Sequence, residues 1–187
     1  MDLPGLQDLG ERLLAPADAM TMTTHGDKRS AVLIPISGWP DDPVAVFTER
    51  HAEMSRHAGE ISFPGGRPDP EDPSLIETAL REAQEEVSLD PAVVTIVGAL
   101  PPTATFVTGY AIYPFVGAIP QDTELHANPS EVETLLRFRL ADLSSAFEMR
   151  RLVRRGIPFR TPTYPMGDHL IWGATARILM ELLSRLR

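Results

Sequence analysis

The segment Arg81-Glu82-Ala83-Gln84-Glu85-Glu86 constrains this chain more than any other, because it sets three carboxylates on one side of a short helix. At about 100° per residue, Glu82, Glu85 and Glu86 fall within an arc of roughly 100°. Ile76, Ala79, Leu80, Ala83 and Val87 occupy the adjacent arc, so one stripe packs and its neighbour is acidic. Glu82 with Glu86, and Glu82 with Glu85, are like charges one turn apart, each of which destabilises an isolated helix by a few tenths of a kcal/mol. A bound divalent cation reverses that sign. Oxygen-seeking Mg²⁺ or Mn²⁺ suits such a carboxylate set, and a backbone carbonyl of Gly65 or Gly66, just upstream, can complete a site where no side chain blocks approach.

A chain of 187 residues that is 43% hydrophobic can bury one substantial core, so residues 1–187 are expected to form a single domain. The 18 prolines and 13 glycines are dispersed between apolar runs, as turn punctuation. Net charge is −9, from 17 basic and 26 acidic side chains, which argues against a nonspecific nucleic-acid binder. A small phosphorylated ligand remains open if a metal and local arginines receive it, and every basic residue except Lys28 is Arg, whose planar fork suits phosphate. The absence of cysteine excludes disulfides, thiolate catalysis and Cys-ligated zinc. No apolar run approaches the roughly 20 residues of a membrane span, and the N-terminus lacks the features of a signal peptide. A cytoplasmic protein with no membrane and no nucleic-acid partner is the expectation.

Leu3, Leu6, Leu9, Leu13 and Leu14 predict a leading helix over residues 2–14, ended by Pro16. Residues 30–36 and 43–48 read as strands of a hairpin around Gly38-Trp39-Pro40-Asp41-Asp42. A short strand at 61–63 leads into the glycine turn. The carboxylate helix is expected to start with Asp72 as cap and Pro73 in its first turn, and to run to about Val87. Strands follow at 93–100, 110–119 and 132–140, a short helix at 141–147, and an amphipathic helix from Gly173 to Arg187 with Ile178, Leu179, Leu182, Leu183 and Leu186 on one face. Helices before, between and after strands predict an α+β chain with a mixed sheet between helices.

The segment from Gly66 to Leu89 resembles the Nudix box, G-x5-E-x7-R-E-U-x-E-E-x-G-U with U apolar. Arg81, Glu82, Ala83, Glu85, Glu86 and Leu89 fill their places, and Ser88 stands where the family has glycine. On the left, Asp72 replaces Glu and lies eight residues, not seven, before Arg81. Two acids can therefore pair with Arg81. Glu77 is the local candidate, one turn earlier on the helix, and Asp72 is left mainly as a cap. Upstream, Val46-Phe47-Thr48-Glu49-Arg50-His51-Ala52, then Arg56, Gly59 and Phe63-Pro64-Gly65-Gly66, is similar to the coenzyme A pyrophosphatase branch of that family. Asn128-Pro129-Ser130-Glu131-Val132 and Ile171-Trp172-Gly173-Ala174-Thr175-Ala176 resemble the same branch.

The resemblance implies a Nudix-type α/β/α sandwich with a mixed β-sheet that hydrolyses a nucleotide-linked diphosphate with Mg²⁺ or Mn²⁺. Coenzyme A or a derivative is the leading substrate, giving 3′,5′-ADP and 4′-phosphopantetheine. ADP-ribose, dinucleotide polyphosphates and nucleoside triphosphates are alternatives, as is a noncatalytic nucleotide-binding regulator on the same fold. It further implies Glu82, Glu85 and Glu86 as metal ligands. Glu131 is the first choice of base, with Glu60 and Glu85 also open. Arg81, Glu85 and Glu131 make up the catalytic set. Arg50, Arg56 and Arg67 flank the motif as candidates to hold the 3′-phosphate or the diphosphate. His51 and His57 read as structural, and Trp172 as core.

Overall fold

The computed structural model describes residues 5–51, 59–105, 108–154 and 156–187. β1 (Lys28–Ser37) and β2 (Val44–Arg50) form the expected hairpin, with Ile36 opposite Ala45. The two strands then part. β2 pairs with β3 (Ile61–Ser62) and β8 (Val132–Arg139), while β1 runs parallel to β7 (Tyr110–Ala118) from Lys28 opposite Tyr110 to Ile36 opposite Ala118. β4 (Gly65–Gly66) adds to β1, and β5 (Thr95–Ala99) and β6 (Thr103–Ala104) add to β7. The sheet is mixed, with β1 and β7 at its centre.

Both central strands carry apolar residues on both faces, as strands covered on two sides must. Ala31 and Leu33 of β1 face a core shared with α2 (Pro16–Thr21) and α3 (Leu75–Val87). Ile34 and Ile36 face the opposite core, built with α1 (Leu6–Glu11), α4 (Leu140–Ala146) and α5 (Gly173–Arg185). This is the expected α/β/α layering. α3 buries Leu75, Ala79, Ala83 and Val87 against the sheet, with Leu75 and Val87 each contributing about 1.5–3 kcal/mol.

Three expectations need correction. The leading helix does not run unbroken over 2–14: α1 spans Leu6–Glu11, and Pro16 opens α2 at its first turn, where a missing N–H does no harm. Asp72 does not cap α3. Ser74 does, accepting from the Glu77 N–H at 3.3 Å, and Pro73 lies ahead of the helix. Finally, residues 148–171 hold a second sheet that the sequence pattern did not announce: β9 (Glu148–Arg154), β10 (Ile157–Met166) and β11 (His169–Ile171), all antiparallel. No helix among the described residues is long and apolar enough to cross a membrane.

Candidate active site

The glycine turn and α3 lock together through backbone geometry. Gly65 and Gly66 lie opposite Val32 and Ala31 of β1. A Cβ on Gly65 would sit 2.3 Å from the Ala31 carbonyl oxygen, and one on Gly66 would sit 2.3 Å from the Glu82 carboxylate. Only bare backbone passes between the strand and the acidic helix. At the far end of α3, Ser88 adopts the left-handed conformation (φ 56°, ψ 29°), and the Leu89 N–H returns to the Ala83 carbonyl at 3.4 Å. With the Ser88 N–H bonded to the Gln84 carbonyl at 3.0 Å, this is an αL ending without its usual glycine. The loop before β8 satisfies the last carbonyls: His126 N–H donates to Val87 at 3.0 Å and Asn128 N–H to Glu86 at 2.9 Å. Glu131 is thereby carried to the carboxylate end of α3.

Arg81 organises the acids. Its Nε donates to Asp72 Oδ1 at 3.0 Å and its Nη2 to Asp72 Oδ2 at 3.1 Å, a two-pronged pair. Nη2 also donates to Glu82 Oε1 at 3.1 Å and to the Arg67 carbonyl at 3.0 Å, while Nη1 reaches Glu85 Oε2 at 3.0 Å. The partner of Arg81 in the preceding loop is therefore Asp72, not Glu77. Helical side chains lean toward the N-terminus, which aims this guanidinium back over the loop 67–72. Asp72 also accepts from the Asp69 N–H and the Thr78 hydroxyl, each at 2.9 Å. The Arg81 hydrogen bond leads in holding its carboxyl down at about 2.

The three glutamates are not equivalent. Glu86 is 4% exposed, Glu82 has 16% of its side chain exposed, and Glu85 has 53%. Burial pushes Glu86 up to about 7, against the opposing pull of the Gly65 N–H, which donates to Glu86 Oε2 at 3.1 Å, and of Arg50. Burial likewise raises Glu82 against the opposing charge and hydrogen bond of Arg81, with Glu85 and Glu131 adding repulsion. Glu85 and Glu86 also sit in the last turn, where the helix dipole disfavours anions. The burial and the mutual repulsion oppose folding, and a cation would relieve both.

The donor chemistry fits a hard divalent ion, oxygen atoms only, with one member buried and short of positive charge. As placed, the carboxylates do not converge: among the described residues, no three His, Asp or Glu side chains have the spacing of a metal site. Glu82 and Glu85 turn to Arg81, and Glu86 turns to Gly65. Rotation of Glu82 and Glu85 about their own side-chain bonds would gather them, with α3 itself unmoved.

Of the other expected residues, Arg50 places Nη2 3.8 Å from Glu131 Oε2, and its buried Nε has no hydrogen-bond partner among the described residues. An orphaned guanidinium N–H beside the acids suits an incoming phosphate oxygen. Arg67 gives its carbonyl to the site, but its guanidinium leaves for the Tyr110 ring, 5.2 Å from the centroid. Arg56 and His57 lie outside the described residues. His51 bonds to the Pro129 carbonyl at 2.9 Å, the structural role expected of it. Trp172 is half-buried at the N-terminus of α5.

Sequence reasoning missed the cap Ser74, although Ser74-Leu75-Ile76-Glu77 carries the S-x-x-E signature of a helix start. It also missed the pair between His169 Nδ1 and Glu49 Oε2, 3.5 Å apart. No local signal could have joined residues so distant in sequence.

Residues 27–157 match the family model described as the NUDIX domain. A Nudix hydrolase of Photorhabdus laumondii named NudL is 39% identical over 166 residues, covering 88% of each chain. Among solved structures, a MutT/nudix family protein from Enterococcus faecalis superposes with a TM-score of 0.58 at 11% identity, over 100% of this chain and 74% of that one. The Nudix domain of Shewanella oneidensis NrtR, complexed with ADP ribose, gives 0.51 at 15% identity, over 67% and 80%. At such identities the structures speak for the fold alone. The chain belongs to the Nudix family, whose hydrolases act on nucleotide-linked diphosphates and generally use Mg²⁺ or Mn²⁺.

Proposed function

We propose that the chain, acting as one Nudix hydrolase domain over residues 1–187, cleaves the diphosphate of coenzyme A or a derivative to 3′,5′-ADP and 4′-phosphopantetheine. The observation that carries this reading is the convergence of three separate segments at one end of α3. Thr48 Oγ1 lies 3.2 Å from Ser62 Oγ, which ties Val46-Phe47-Thr48-Glu49-Arg50 to Phe63-Pro64-Gly65-Gly66. The His51 bond to Pro129 ties the same strand to the loop of Glu131. These are the segments that resemble the coenzyme A branch, and they meet at the acidic helix.

In this reading Glu82, Glu85 and Glu86, with a carbonyl of Gly65 or Gly66, would hold a divalent ion. That ion, when bound, neutralises phosphate oxygens and lowers the pKa of an attacking water. Glu131, adjacent but outside the trio, would serve as the base for an attacking water. Arg81 does not touch phosphate; it fixes the helix against loop 67–72 and sets the positions of Glu82 and Glu85. Arg50, with Nε free to donate, binds a diphosphate oxygen, and Arg56 and Arg67 supply further positive charge.

A substrate panel tests the proposal: coenzyme A, its 3′-dephospho form, ADP-ribose, diadenosine tetraphosphate and a nucleoside triphosphate, with Mg²⁺ or Mn²⁺ and with chelator, followed by chromatography. Fast, chelator-sensitive release of 3′,5′-ADP from coenzyme A is the expected outcome. Much faster cleavage of another compound would reject the substrate, and tight binding without turnover would reject the enzyme.

A further inference from the structure

Three cations near the start of β1 have no carboxylate partner among the described residues. Among the described residues no ion pair engages Lys28, Arg29 or Arg67, although acidic side chains outnumber basic ones 26 to 17. Each lies instead over an aromatic ring. Lys28 Nζ is 5.6 Å and Arg67 Cζ 5.2 Å from the centroid of Tyr110, and Arg29 Cζ is 5.5 Å from that of Tyr113. Neighbouring strand residues point to opposite faces, so Lys28 shares the face of Tyr110 while Arg29 belongs to the other. Lys28 and Arg67 thus share a single ring. The ring's negative face holds each of them, yet leaves both positive charges unneutralised.

The surroundings keep this arrangement in place. The Lys28 N–H donates to the Gly109 carbonyl at 3.2 Å, and the Tyr110 N–H donates to Thr105 Oγ1 at 2.8 Å. A Cβ on Gly26 would lie 2.7 Å from the Tyr110 backbone carbon, so the loop before β1 packs flush on the start of β7. Arg67 follows Gly66 directly, and its carbonyl is held by Arg81, so the clamp stands one residue from the backbone that faces Glu82. Tyr110 Oη is buried and has no hydrogen-bond partner among the described residues, which leaves its O–H able to donate to a ligand.

We infer that Lys28, Arg67 and Tyr110 form a second phosphate subsite that takes a non-scissile phosphate monoester of the nucleotide, so the site selects nucleosides phosphorylated at two positions. This rests on the diphosphatase reading and deepens it: the carboxylates address the scissile link, while the clamp on the Tyr110 face addresses the remote phosphate.

Calorimetric titration with adenosine 3′,5′-bisphosphate and with adenosine 5′-monophosphate, both in Mg²⁺, tests it without turnover. The intact protein is expected to bind the bisphosphate at least about tenfold more tightly, by a margin that narrows as salt rises. Lys28→Gln and Tyr110→Leu should reduce the ratio to about threefold or less, mainly by weakening the bisphosphate. Arg29→Gln removes the same charge from the opposite face and should leave the ratio unchanged. Circular dichroism checks that each variant is folded. Equal affinity for the two nucleotides in the intact protein, failure to bind either, or a loss in Arg29→Gln as large as in Lys28→Gln would overturn the inference. Discrimination that persists while coenzyme A is not hydrolysed would count against the proposed activity and leave the subsite standing.

Discussion

Replacing Asp72 by Asn removes one charge from the joint that holds the glycine turn to α3 while preserving shape. In the native chain Asp72 accepts from two Arg81 nitrogens, one backbone N–H and one hydroxyl, with 8% of its side chain exposed against 24% for Arg81. Hydrogen bonds to charged groups are worth about 1.5–3 kcal/mol net. Asn keeps one acceptor but turns an NH₂ toward groups that are all donors. A loss of about 2–3 kcal/mol follows, since Arg81 keeps Glu82 and Glu85 as partial compensation. The depression of the Asp72 carboxyl from 3.8 to about 2 agrees with that size, each pH unit being worth about 1.36 kcal/mol. For a chain of this length the Tm should fall by about 4–12 °C. The pH dependence has a definite sign. A carboxyl whose folded pKa is depressed stabilises fully above its unfolded value and loses that contribution as pH falls toward the folded one. Urea titrations at pH 7, 5, 4 and 3 should therefore give a constant gap between the two proteins down to about pH 4 and a shrinking gap below it. A gap under about 0.5 kcal/mol at pH 7, or one unchanged at pH 3, would refute the assignment of Asp72 as the partner of Arg81.

Ser88→Gly should stabilise the protein by about 1 kcal/mol in urea titration, because a non-glycine residue at φ 56° carries strain that glycine does not. Gly66→Ala places a methyl on the Glu82 carboxylate and should reduce diphosphate hydrolysis by at least about 100-fold; its circular dichroism spectrum should stay native, since the atoms displaced are the end of a side chain. Glu86→Gln should also remove most metal-dependent activity, yet stabilise the protein in chelator at neutral pH. Burial raises the Glu86 carboxyl from 4.5 to about 7, so the native protein favours its protonated form below pH 4.5 and loses that advantage as pH climbs through 7. A stability gap between Glu86→Gln and the native chain that fails to widen from pH 5 to pH 8 would disprove this.

The elements bearing the site were legible because their signals are local. The two faces of α3 follow from helical spacing, and the hairpin of β1 and β2 from apolar runs around a segment dense in turn formers. What stayed hidden depends on distant partners. In β9 and β10 the prolines at 158, 162 and 165 and the arginines at 150, 151, 154 and 160 obscure any alternation, and the register sets Arg151 opposite Arg160, a pairing local rules discourage. The choice between Glu77 and Asp72 for Arg81 turned on a loop whose path no helical spacing could give. The ordering of Glu86 as buried and Glu85 as exposed depends on the loop 126–131 folding over one end of the helix, which lies beyond any window of the motif itself.

β1 is at once the middle of the sheet and the wall on which Gly65 and Gly66 rest, with 2.6 Å between a would-be Gly65 Cβ and the Val32 Cα. Interior and chemistry therefore share one strand. A bulkier side chain introduced at Ala31 or Val32 to tighten the interior would tilt that wall and carry the glycine backbone with it. Residues that never meet a substrate would then register in turnover, and attempts to make the protein more heat-resistant are safest on strands other than this one.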